Sequence, residues 1–127
     1  MTNEQLQALC REWQQVLRLQ DWDVRCKFVR QREMTDSGCA GECRFQLEKK
    51  QAVIYVIDPI DWPPNCAWPQ DVEKTLVHEL LHLHMAPFQP SHDTLEHVMM
   101  EQAIESIATG LVRLRRANSE VTSDHAV

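Results

Sequence analysis

The chain has 127 residues, a formal net charge of −6 and 43% hydrophobic against 25% charged residues. That length supports one domain around one core and leaves no room for a catalytic domain beside a separate recognition domain. An acidic chain without an extended basic stripe argues against nucleic acid as the primary partner, and no apolar run reaches the length needed to cross a bilayer, so no membrane partner is expected.

The first residues, MTNEQLQALC, lack a basic region followed by an apolar core, which points to a cytoplasmic protein. Five cysteines (Cys10, Cys26, Cys39, Cys43 and Cys66) are an odd number, so reduced thiols are expected rather than a disulfide framework. Cys39 and Cys43, with no second pair nearby, give only a weak zinc signal and read as structural.

Residues 3 to 20 place Leu6, Leu9, Cys10, Trp13, Val16 and Leu17 at near-helical spacing, which predicts an amphipathic first helix. Trp22, Val24, Cys26 and Phe28 then alternate with Asp23, Arg25 and Lys27, the period of a half-buried strand. Arg25, Lys27, Arg30 and Arg32 read as a solvated strand face. A turn around Asp36-Ser37-Gly38 precedes a second alternation through Cys43, Phe45 and Leu47. The β-branched run Ala52 to Ile57 should be the most buried strand. Four of the six prolines fall between Asp58 and Pro69, which makes that segment a loop, and Trp62 and Trp68 are expected to pin it to the body or to face substrate. Asp71 is a plausible N-cap for the next helix, which Pro87 ends. Asp93 and Glu96 resemble a capping box for a last helix running to about Arg116, with Arg113, Arg115 and Arg116 near its negative end. The expected organisation is a single domain over residues 1–117 and a flexible tail over 118–127. Its class is α+β, with an N-terminal helix, a small three-stranded, mainly antiparallel sheet and two further helices.

The most informative stretch is His78-Glu79-Leu80-Leu81-His82. Imidazoles four residues apart on a helix point the same way and can grip one zinc ion, with the glutamate beside the first placed against the attacking water. Leu76, Val77, Leu80, Leu81 and Leu83 leave little of this helix solvated, and buried histidines with a buried glutamate are costly unless something coordinates them.

Hydrolytic zinc sites usually have a third protein ligand. The residue six beyond His82 is Phe88 and no glycine lies three beyond it, so the metzincin pattern is absent. The last helix offers His97, Glu101 and Glu105 at four-residue steps along one face. Glu101 is the preferred third ligand and Glu105 a hydrogen-bond acceptor for a ligating histidine, while Glu105 or His97 as the ligand stays open. His84 reads as structural or surface, His92 as a loop residue able to reach the cleft, and His125 as part of the tail.

Two imidazoles and one carboxylate around a single Zn²⁺ suit amide hydrolysis, with Glu79 as general base. Tyr55, His92 and His97 are candidate donors to the oxyanion. An edge strand, the one through Cys43 and Leu47, can hold an extended peptide by adding it to the sheet.

Across residues 3 to 116, the order of helix, small sheet, His78-Glu79-Leu80-Leu81-His82 helix and a helix bearing Glu101 and Glu105 resembles the zincin-like metallopeptidases. More narrowly it is similar to the small phage and bacterial proteins grouped with minimal gluzincins; the pentapeptide is the specific part of that match. The resemblance implies peptidase activity, an α+β fold with zinc between two helices, and a peptide or protein substrate along a sheet edge. The chain departs from the large gluzincins in lacking a second lobe and a visible propeptide. The expected function is therefore zinc-dependent cleavage of a restricted target. The alternative is a catalytically silent, zinc-containing binding or regulatory protein of the same fold, which would have no need of Glu79.

Overall fold

The computed structural model describes residues 1–36 and 38–125. The first helix, α1 (Asn3–Val16), opens with a capping box: the Thr2 hydroxyl accepts from Gln5 N and the Gln5 side chain accepts from Thr2 N. It stops four residues short of its expected end because Arg18 takes a left-handed backbone (φ 61°) and turns the chain into the sheet. Leu6, Cys10 and Trp13 are buried, while Val16, at the end of the helix, stays exposed.

Three strands follow, β1 (Asp23–Val29), β2 (Gly41–Gln46) and β3 (Gln51–Ile57), in the order β1-β3-β2. β2 runs antiparallel to β3, with Glu42 opposite Tyr55 and Cys43 opposite Ile54, whereas β1 runs parallel to β3, with Cys26 beside Ile54. The sheet is thus mixed, which corrects the mainly antiparallel expectation. The physical reason is burial: the most apolar segment takes the centre, so the chain passes from β1 across to the far edge and returns through β3 between them. β2 ends at Gln46; Leu47 belongs to a short 3₁₀ turn closed by Lys50 at φ 51°.

One sheet face packs on α1 and on the second helix, α2 (Val72–Met85). Val24, Cys26, Ala52, Ile54 and Val56 interleave there with Leu76, Val77 and Leu80. The other face is mostly open, with a small cluster of Val29, Met34 and Ile57 under Tyr55 and Trp62. The basic residues on and beside β1 are dispersed: Arg25 pairs with Asp23, Arg30 with Asp61, and Lys27 lies over the Tyr55 ring.

Asp71 caps α2 by accepting from Lys74 N, and a 3₁₀ turn containing Pro87 follows its end. The third helix, α3 (Leu95–His125), lies against α2 on the side away from the sheet, burying Met100, Ile104, Ala108 and Val112. Its cap is Thr94 and not Asp93: the Thr94 hydroxyl accepts from His97 N at 3.1 Å, and Asp93 sits at φ 64° in the preceding turn. The helix also continues past Arg116 to His125, since no glycine or proline interrupts it there. Ala126 and Val127, the end of the expected tail, lie outside the described residues. Two of the three arginines expected at the helix end are used in mid-helix instead. Arg116 grips Asp71 at 2.9 Å and Glu73 at 3.3 Å, and Arg115 reaches Glu12 while stacking over Trp13. Among the described residues no helix is long and apolar enough to cross a membrane.

Candidate metal centre

α2 is buried on nearly all sides, and this fixes the direction of its polar residues. Leu76, Leu80 and Leu83 enter the core, so His78, Glu79 and His82 emerge on the flank shared by α3 and the edge of β2. There they line a cleft of about 510 Å³.

Glu101 of α3 meets both histidines. Its carboxylate stands 2.9 Å from His78 Nε2 and 3.0 Å from His82 Nε2, and one ligand atom from each of His78, His82 and Glu101 lies within 4.8 Å of the other two. This group can hold a metal ion. Donors about 2.1 Å from a tetrahedral ion stand roughly 3.4 Å apart, so seating one here needs Glu101 to draw back from each histidine by about half an ångström. The donor chemistry, two imidazoles and a carboxylate, is that of a site with a vertex to spare.

Glu105 occupies the supporting position. Its carboxylate accepts from His78 Nδ1–H at 2.8 Å and pairs with Lys74 Nζ at 3.2 Å, which leaves Nε2 of His78 as the coordinating nitrogen. Burial alone would raise the Glu105 pKa, but hydrogen bonds from Lys74 and His78 outweigh it and hold the carboxyl below its ordinary value. His97 stands further off, with Nε2 3.8 Å from Glu101, and meets the His92 ring at a tilt of 51° and a separation of 5.0 Å. It lines the cleft outside the three-residue group.

Glu79 is 7% exposed, and burial pushes its pKa up to about 7; Glu101, Glu42 and Glu105 add to the rise while His78 opposes it. His82 is also buried, which lowers its pKa and favours the neutral, metal-binding imidazole.

No family model, no curated protein and no solved structure matches the chain. The residues alone carry the reading.

Other positions anticipated from the sequence fall as follows. Tyr55 projects from the opposite sheet face, where Lys27 and Arg44 sit over its ring, so it is not brought to the cleft. His92 lines the cleft, whereas the His84 ring nitrogen meets Leu17 O at 2.6 Å in a structural contact. All five cysteines are free; Cys43 is half-buried against the core, and both it and Cys39 line the cleft. Trp62 and Trp68 both border the cleft, with Trp62 Nε1 donating to Trp68 O at 3.1 Å.

Sequence reasoning missed Gly41. A Cβ there would come within 2.6 Å of Thr75 Cγ2 and 3.3 Å of Glu79 Cγ, so only glycine lets β2 lie this close to α2 beside Glu79. The strand alternation places residue 41 on the core side of the sheet, but the close helix approach had no local signal. Lys74 was missed too, although it stands one helical turn before His78.

Proposed function

We propose that the protein is a zinc-dependent metallopeptidase of the zincin-like kind, cleaving a restricted peptide or protein target. The observation that carries this is the convergence of His78, His82 and Glu101 from two helices, with the buried carboxyl of Glu79 on the same cleft. A closed structural site would supply a fourth protein ligand, and among the described residues the group has three.

A bound zinc ion would act as a Lewis acid, acidifying water and polarising the scissile carbonyl. The chain's own residues do the rest. β2 is an edge strand whose free side borders the cleft, so its backbone can pair with an extended substrate and lay the scissile bond across α2. Glu79, buried on the cleft beside the ligand His78, takes a proton from the attacking water and passes it to the leaving nitrogen. Glu105 keeps the His78 ring in one tautomer throughout. His97 and His92, whose rings meet at a tilt on the cleft wall, are the candidate donors to the oxyanion.

Glu79→Gln is the decisive variant. It should keep one zinc per chain and an unchanged far-UV spectrum while turnover of a denatured protein mixture falls by about 10³-fold or more. Cleavage at the wild-type rate by this variant overturns the mechanism, and wild-type protein that takes up zinc yet cleaves nothing favours the silent binding protein.

A further inference from the structure

The outer side of α3, about half a helical turn away from Glu101, has no role in the centre. Leu95, Met99, Ile107 and Leu114 are between 51% and 70% exposed there. The other exposed residues from Met99 to Gly110 are Gln102, Ala103, Ser106 and Gly110, so the centre of this face carries no charge, and exposed Glu96 and Arg113 stand at its two ends. A helix face that met only water would be studded with charged residues. Gly110 adds an independent observation. It lies mid-helix, a Cβ on it would meet nothing within 4 Å, and no contact within the chain calls for a residue that weakens the helix.

We infer that this face is where two copies of the chain pair, α3 against α3 in antiparallel sense about a two-fold axis between Ser106 and Ile107. The stripe is self-complementary about that point. Met99 falls level with Leu114, Ala103 with Gly110 and Ser106 with Ile107, each pair of numbers summing to 213. Ser106 and Ile107 therefore meet across the axis, Ala103 and Gly110 about one turn to either side of it, and Met99 and Leu114 at the ends. The rows Met99-Ala103-Ile107 and Ser106-Gly110-Leu114, each at four-residue steps, form parallel ridges with a groove between them that a copy of either can enter. The exposed parts of the four large side chains with the small residues between them offer on the order of 600 Å² per copy, the lower end of the range for specific interfaces. Such pairing leaves the cleft open, because Glu101 and Glu105 lie on the opposite side of the helix.

The test is the mass of the full chain in reducing buffer at tens of micromolar, by light scattering or sedimentation equilibrium. Twice the chain mass of 14.8 kDa is expected. Ile107→Glu should weaken association at least tenfold with unchanged helicity. Gly110→Ala, which meets nothing inside the chain and strengthens the helix, should also weaken it several-fold. Arg25→Glu on the sheet's open face should leave it alone. A monomer at these concentrations overturns the inference and leaves the face to a different partner; a dimer indifferent to both α3 variants overturns it as well.

Discussion

α2 and α3 share one set of donors yet are opposite kinds of helix. α2 has 14 residues and buries eight of them, Glu79 and His82 included, so its histidines are aimed by core packing. α3 has 31 residues, buries a single stripe and presents Glu101 with about a third of its side chain exposed. The centre therefore joins a rigid half to one held by local polar contacts, and metal binding and fold stability should separate cleanly between them.

His82→Ala and Glu101→Ala test that separation most directly. Both should reduce bound zinc from one ion per chain to nearly none, read by elemental analysis. In chelator, however, His82→Ala should also cost about 2 kcal/mol of stability through the cavity it leaves, against under about 1 kcal/mol for Glu101→Ala. Equal losses in denaturant melts would show that the two halves are not distinct.

Next in size is the burial of Glu79. Its carboxyl is raised from 4.5 to about 7, so in metal-free protein its contribution is fully present below pH 4.5 and is lost as pH rises through about 7. Glu79→Gln removes that dependence. The variant should gain on wild type by roughly 3 kcal/mol between those limits, measured by urea melts in chelator. A constant difference across that range means that the carboxyl is not buried as described.

Glu105→Ala should weaken zinc about 10- to 100-fold while His78 remains in place, because only the orientation of the ring is lost. Competition with a chromogenic chelator reads this directly. Gly41→Ala should cost about 1–3 kcal/mol by pushing β2 off α2, and Thr75→Ser, which deletes the obstructing methyl, should restore most of it. Additive effects in the double variant would place the clash elsewhere.

Much of this arrangement is legible in the residues themselves. Alternation at Trp22 to Phe28 and the apolar run at Ala52 to Ile57 mark their strands because a strand exposes its period directly. The pentapeptide marks α2, and four-residue spacing puts Glu101 and Glu105 on one side of α3. What stays hidden depends on contacts between distant segments. The parallel pairing of β1 with β3 is decided by which strand most needs burial on both sides, which no local window reports. The choice of Thr94 over Asp93 turns on one left-handed residue, and the extension of α3 follows from the absence of a breaker rather than from any stop signal. Glu101 and Glu105 are interchangeable by spacing; packing against α2 separates them, bringing one to both rings and the other to Nδ1 of a single ring.

The carboxylate of Asp71 does two jobs, capping the first turn of α2 and binding Arg116 near the middle of α3. Anyone transplanting this centre into another scaffold would find the pentapeptide insufficient. The arginine and its acidic anchor would have to travel with the donors as a tie across the two rods, together with the buried seam of Met100, Ile104, Ala108 and Val112 that packs them.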